Sequence, residues 1–236
     1  MSQKHNIVSY EEWVKSCQEH LKKEKEFTRL RDQLSQKRRE LPWTKVNKNY
    51  NFETIHGSKS LCDLFAGKSQ LIIYHFMFGP DWDAGCPSCS FWADNFNNII
   101  VHLNARDINL AVVSRAPLEK LQNYKKRMNW TFEWVSSLEN DFNTDFDVTF
   151  TENEMNGEQN YYNFETSGFP VSEAPGVSVF YKNEQDEIYR TYSCFARGLD
   201  ILNGTYNFMD IAPKGRNESE LSMPMEWIRR RDEYDI

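Results

Sequence analysis

The amino-acid sequence predicts an α/β fold, a central mixed sheet flanked by helices, preceded by an N-terminal helical extension. Three observations carry this expectation. Residues 71–78 (LIIYHFMF) and 109–114 (NLAVVS) are apolar runs of strand length. Each is followed by a segment with helical spacing, residues 88–106 and 117–128, and strand–helix repetition is the pattern of a parallel unit with a right-handed crossover. Further along, residues 176–181 (GVSVFY) and 187–192 (EIYRTY) flank the polar stretch KNEQD, which reads as a β-hairpin joining the same sheet.

Residues 1–41 form the expected extension. Apolar residues recur at Tyr10, Trp13, Val14, Cys17 and Leu21, then at Phe27, Leu30 and Leu34, among many Glu, Lys, Arg and Gln. Spacings of three and four place them in a stripe on a helix. Ser9 followed by Glu12 is a capping-box pattern, and Pro42 sets the latest end. The stripe breaks near Glu24, which predicts a bend or two helices. It is expected to pack on the main domain or, alternatively, on a second copy as a homodimer.

Residues 42–212 are the expected main domain. Residues 49–54 alternate as a short strand, 60–65 read as a helical turn, and 199–206 as a last helix. From there a loop and a short tail, residues 213–236, complete the chain.

A content of 39% hydrophobic residues, 14% of all residues aromatic, is enough for a real core. The formal charge of -7 excludes general nucleic-acid binding, because no net positive field attracts phosphates. No apolar run approaches the roughly 20 residues that span a bilayer, and the first residues, MSQKHNIVSYEEW, have no signal-peptide core. The expected location is the cytoplasm, with no membrane partner.

Five cysteines, an odd number, argue against a disulfide framework here. Cys17, Cys62 and Cys194 read as small hydrophobes. Cys86-Pro87-Ser88-Cys89 is different: a close pair between a strand and a helix is redox-active, metal-binding or structural. A zinc site needs four ligands, this pair supplies two, and no second C-x-x-C or H-x-x-x-H is present. Neither a metal nor a cofactor is expected. His75 and His102 read as satisfied residues of a strand and a helix.

Chemistry at the pair follows from position. A cysteine at a helix N-terminus faces unpaired N–H groups and the positive end of the helix dipole, which favour the nucleophilic thiolate. The dipole is worth roughly 0.3–1 kcal/mol, less than one pKa unit. Asp81 and Asp83 oppose it, a carboxylate about 6 Å away repelling a thiolate by roughly 0.7 kcal/mol in water-like surroundings. The two effects are expected to cancel nearly. Residues three apart on a helix have Cβ atoms roughly 5–6 Å apart, so Cys86 must sit at the cap for the pair to close. Pro87 then pre-sets the first turn. Cys86 is the expected attacking thiol and Cys89 the shielded resolving one. Arg115, just past the second strand, is placed by the parallel sheet at the same end as the pair, where its charge could stabilise a thiolate. A surface ion pair is the other reading of Arg115. Trp82, Phe91 and Trp92 could line a pocket.

These elements, in this order, resemble the thioredoxin superfamily: strand, loop, C-x-x-C opening a helix, a second strand–helix unit, then a proline before a final hairpin. The resemblance implies that Pro175, in APGVSVF, follows a cis peptide bond and contacts substrate. The sequence is more similar still to the thioredoxin-like "domain of unknown function 899" family, through YHFMFGPDWDAGCPSCSFWAD, VSRAPL, WVSS, TYSCFARGLD and GTYNFMDIAPKGR. That similarity runs from about Arg38 to the C-terminus. Where peroxiredoxins carry a threonine three residues before their peroxidatic cysteine, this chain has Asp83. The expected function is therefore thiol–disulfide oxidoreduction or another thiol-dependent reduction of a protein or small-molecule thiol or disulfide. The alternative is a non-catalytic binding module.

Overall fold

A computed structural model describes residues 5–156 and 160–235. The ends of the expected extension and tail, residues 1–4 and 236, lie outside them. The chain divides into two units, one ending at Pro42 and one beginning at Trp43.

The first unit is a helix, α1 (Tyr10–Arg39). Ser9 and Glu12 form the expected capping box, the Glu12 N–H donating to Ser9 Oγ at 3.3 Å and the Ser9 N–H to Glu12 Oε2 at 3.0 Å. Lys37, Arg38 and Arg39 lie in its last turn, complementing the dipole. The helix runs as one element through Glu24, which corrects the expected alternative of two helices. A break in an apolar stripe changes which face is greasy, but Glu, Lys and Arg remain good helix formers and no Gly or Pro intervenes. None of its residues is buried.

In the second unit the elements run β1 (Thr44–Lys45), β2 (Asn51–Thr54), β3 (Gly57–Ser60), β4 (Gln70–His75), α2 (Pro87–Ala93), α3 (Ile100–Asn104), β5 (Ile108–Ser114), α4 (Leu118–Arg127) and β6 (Glu133–Ser136). Then come α5 (Phe142–Asp145), α6 (Glu152–Asn156), β7 (Asn160–Tyr162), β8 (Glu165–Ser167), β9 (Gly176–Lys182), β10 (Ile188–Phe195) and α7 (Gly204–Ile211). Eight strands form one mixed sheet in the order β1-β10-β9-β4-β5-β6-β2-β3, and β7 pairs with β8 separately. β4, β5 and β6 are mutually parallel, whereas β9 runs antiparallel to β4 and β10 to β9.

Alternation along β4 divides the core. Leu71 and Ile73 face a cluster with Phe52, Phe65, Phe142 and Phe180. Tyr74, with Phe76 just beyond the strand, faces a cluster with Cys89, Trp92, Phe96 and Trp134. His75 points to the first side, stacked on Phe142 (5.5 Å), with Nε2 2.9 Å from Ser178 Oγ.

Two helices differ from expectation. Residues 88–106 split into α2 and α3 because asparagine side chains compete with the helical ladder. Asn95 Nδ2 donates to the carbonyls of Phe91 and Trp92, and Asn97 Oδ1 accepts from the Thr131 N–H (2.6 Å). The helix expected over 199–206 is present in two pieces, a 3-10 turn (Ala196–Leu202) and α7 from Gly204, divided at Asn203, which caps α7 by accepting the Tyr206 N–H at 3.1 Å. No helix among the described residues is long and apolar enough to cross a membrane.

Candidate functional site: the Cys86–Cys89 turn

The loop from β4 to α2 is fixed by backbone hydrogen bonds before any side chain acts. The Phe76 N–H donates to the Val113 carbonyl (2.9 Å), so the chain leaves β4 still tied to β5. The Cys86 N–H then returns to the Met77 carbonyl (3.1 Å). Between them the Trp82 N–H closes a turn on the Gly79 carbonyl, and Lys120 on α4 donates to the carbonyls of Pro80 (2.9 Å) and Trp82 (3.1 Å). Gly85 has no room for a side chain: a Cβ there would lie 2.7 Å from Phe76 Cε1 and 3.2 Å from Tyr124 Cε1.

Cys86 is the N-cap of α2, with Pro87 at its first position. The Ser90 N–H (3.0 Å) and Ser90 Oγ (2.9 Å) both donate to the Cys86 carbonyl. Cys86 is half-buried and Cys89 buried, and both are free thiols. Cys89 Sγ accepts the Met77 N–H at 3.4 Å.

Placement makes the two sulfurs unequal. The Cys86 thiol is held below the usual range first by the S–H of Cys89. The N–H groups of Cys89 and Ser88 and the Ser88 hydroxyl add to this, against the cost of burial. Burial pushes Cys89 well above the usual range, and its bond to Cys86 adds to that. Burial suppresses the ionisation of Tyr74 beside the pair, and the adjacent sulfur charge adds to that. The near-cancellation expected from the dipole and the two aspartates is corrected here. The donor that dominates is the second cysteine, which a sequence-level estimate of dipole and carboxylates leaves out.

The remaining candidates fall in different places. Pro87 and Trp82 are half-buried beside the turn, the Trp82 indole covering Gly79. Pro175 precedes Gly176, which pairs with His75 in β4, so it lies at the end of the sheet from which the loop to Cys86 departs. Among the described residues no peptide bond is cis, so the expected cis bond before Pro175 is corrected to trans. The Ala174 N–H donates to the Val148 carbonyl (2.9 Å) and the Pro175 carbonyl accepts the Tyr162 hydroxyl (2.7 Å). These bonds seat the segment in the isomer that X–Pro bonds favour by default.

Arg115 is engaged elsewhere: Nη1 lies 3.1 Å from Oε1 of buried Glu173, whose Oε2 accepts the Thr149 hydroxyl at 2.7 Å. Of the two readings of Arg115 it is thus the ion pair that forms, with a buried carboxylate supplied by a segment far along the chain. Trp92 is no groove residue either. It is 5% exposed, its indole donates to the Leu199 carbonyl (2.8 Å), and its ring packs edge-on against Tyr206 (5.7 Å). An apolar cavity of about 390 Å³ does adjoin Tyr74, but Ile72, Phe96, Leu110 and Val177 line it, not Trp82, Phe91 or Trp92.

Sequence reasoning missed Arg230. From residues read as a tail it donates to the Gly85 carbonyl through Nη2 (2.8 Å) and Nε (3.1 Å), and to the Tyr124 hydroxyl (2.8 Å). Trp227 (5.6 Å edge-on to Phe91) and buried Ile228 carry this segment onto the domain, an apolar signal that was legible in MEWIRR.

The model of the family described as "Bacterial protein of unknown function (DUF899)" matches residues 2–234. No curated protein matches the chain. Among solved structures the chain is similar to PrxQ of Xylella fastidiosa in a cysteine-to-serine mutant form, with 15% identity, TM-score 0.46, and 70% of this chain and 94% of that one covered. It is also similar to the peroxidoxin BcpB of Mycobacterium tuberculosis (10% identity, TM-score 0.45, 69% and 96% covered). A third similarity is to the mitochondrial 2-cys peroxiredoxin of Plasmodium falciparum (11%, TM-score 0.43, 70% and 92%). The four strands β5-β4-β9-β10, with a cysteine turn after the first parallel strand and a helix after the hairpin, make a thioredoxin-like fold. By the match over nearly its whole length, the chain belongs to the DUF899 family of bacterial proteins of unknown function.

Proposed function

We propose that this protein is a thiol–disulfide oxidoreductase in which Cys86 attacks and Cys89 resolves. The observation that carries the reading is the inequality of the pair. Cys86 is half-buried at the N-cap of α2, whereas Cys89 is buried one turn on, which opposes ionisation of its thiol. The reactive species is the thiolate, and attack requires access. Both favour Cys86.

The steps balance as follows. Cys86 thiolate attacks one sulfur of a substrate disulfide, forming a mixed disulfide and releasing the other half as a thiolate that takes a proton from solvent. Cys89, having lost its proton, attacks Cys86 Sγ; the Cys86–Cys89 disulfide forms and the second substrate thiolate leaves. One substrate disulfide is reduced and one cysteine pair oxidised. An external dithiol must reduce the pair for the next turnover. Pro87 shapes the turn, and Trp82 and Pro175, at the same end of the sheet, are the residues this reading assigns to substrate contact. The reading is tested by turnover of a small aromatic disulfide with excess dithiol. The wild type is expected to exceed the dithiol alone, and Cys86→Ser to fall to that background. Equal rates for the two proteins contradict it.

A further inference from the structure

The peptide unit entering Cys86 is held from both sides. Its N–H donates to the Met77 carbonyl at 3.1 Å. Its carbonyl, on Gly85, accepts Arg230 Nη2 at 2.8 Å and Nε at 3.1 Å. Arg230 Nε also donates to the Tyr124 hydroxyl (2.8 Å), which is 2.9 Å from Ser90 Oγ, and Ser90 Oγ donates to the Cys86 carbonyl (2.9 Å). One guanidinium thereby reaches the carbonyl before Cys86 directly and the carbonyl of Cys86 itself through two hydroxyls.

The segment bearing Arg230 is anchored independently of these contacts. Arg127 on α4 pairs with Asp232 through two hydrogen bonds (2.7 and 3.0 Å) and with Glu233 (2.8 Å). Arg231 lies 3.5 Å from Asp94, just past α2. The charged and titratable groups around Arg230 include Glu233 (2.9 Å) and Asp232 on its own segment, and Tyr124 and Arg127 on α4, Arg127 sharing Glu233 with it. The backbone conformation of Cys86 (φ -56°, ψ 131°) decides where Sγ lies relative to the groups that stabilise its anion. A planar fork of N–H donors on one carbonyl fixes an orientation that a single flexible donor does not.

We propose that Arg230 is a positioning residue: by gripping the Gly85 carbonyl it fixes the peptide unit that enters Cys86, and with it the place of the Cys86 sulfur at the head of α2 beside Cys89. This rests on Cys86 being the attacking thiol. Arg230 touches no sulfur and acts through the backbone.

The test uses full-length Arg230→Met, Arg230→Lys and Tyr124→Phe proteins. The readout is the pH dependence of iodoacetamide labelling at Cys86, resolved by peptide mass, with exposed Cys17 as internal reference. Arg230→Met is expected to raise the labelling midpoint by about half to one pH unit, slowing labelling about 3- to 10-fold below the midpoint. Arg230→Lys, which keeps the charge and one donor, recovers part of the loss, and Tyr124→Phe shifts the midpoint the same way by less. A merely structural role would lower the melting temperature and leave the midpoint where it was. An unchanged midpoint in Arg230→Met, with wild-type Cys86 still outpacing Cys17, overturns the inference alone. If Arg230→Met does not fold, unchanged midpoints in the other two variants overturn it. Wild-type Cys86 labelling no faster than Cys17 contradicts the oxidoreductase reading, and the inference falls with it.

Discussion

Replacing Gly85 by alanine adds one methyl group at the residue before Cys86, and the structure specifies what that methyl meets. Its carbon would sit 2.7 Å and 3.0 Å from two atoms of the Phe76 ring and 3.2 Å from Tyr124. Ordinary carbon contacts lie near 3.5–4.0 Å, so something must move by most of an ångström. Phe76 has little freedom to do so: it is 1% exposed and wedged among Trp134 (4.7 Å), Trp130 (5.9 Å) and Tyr124 (6.4 Å). Overpacking of this kind costs about 1–3 kcal/mol. For a domain of this size each kcal/mol moves the midpoint by roughly 2–4 °C, giving a fall of about 2–12 °C. Moving the backbone instead would pull the Gly85 carbonyl off Arg230, so Cys86 labelling should slow as well. Differential scanning calorimetry and Cys86 alkylation measure the two effects. A variant with the wild-type melting temperature and labelling rate would refute the reasoning, because a close-packed wall could then not be what excludes the side chain.

Other expectations follow from buried titratable groups. Burial holds the Glu173 carboxyl above its usual range, so its contribution to stability is full below the unfolded value and lost as pH rises through the folded one. The stability of wild type minus that of Glu173→Gln, from urea unfolding, should therefore decrease from pH 4 to pH 8, and a constant difference would contradict this. Burial lowers His75 to about 3, so its neutral form contributes stability above the unfolded pKa that is lost as pH falls toward 3. Below about pH 6 the wild type should lose stability with a slope approaching 1.4 kcal/mol per pH unit from this group. His75→Gln should lack that component, and parallel pH profiles for the two proteins would count against it.

Much of the sheet was legible because a buried strand must be apolar on both faces. Residues 71–78 and 109–114 are such runs, and β4 and β5 lie within or across them. The hairpin β9–β10 was readable from its polar turn. The strand at 71–78 was overextended, since Phe76, Met77 and Phe78 are apolar for packing but leave the ladder to begin the loop. Periodicity carried the reading of 88–106 past Asn95 and Asn97, where side-chain hydrogen bonds rather than hydrophobicity end α2. The cysteine pair was visible as local spacing. Its electrostatics were not, because they depend on which sulfur is buried and which donates. Arg115 and Arg230 show the same limit from opposite sides. One was read either as a thiolate partner or as an ion pair and is bound by buried Glu173, a partner its own segment could not name; the other is distant in sequence and grips the adjacent peptide. Nothing within either local segment distinguishes them, because the partner is chosen by the fold.

The assignment of roles to Cys86 and Cys89 is tested most directly by intact mass. Cys89→Ser protein incubated with a small disulfide and no reductant should gain the mass of one substrate half on Cys86 and hold it, since no second thiol releases it. Wild type should pass instead to the internal disulfide, two mass units lighter than the reduced chain on the loss of two hydrogens. Cys86→Ser should gain no adduct at the pair. An adduct forming on Cys89 of the Cys86→Ser protein at the wild-type rate would reverse the roles. No reaction at either cysteine beyond that of a free thiol would contradict the account itself.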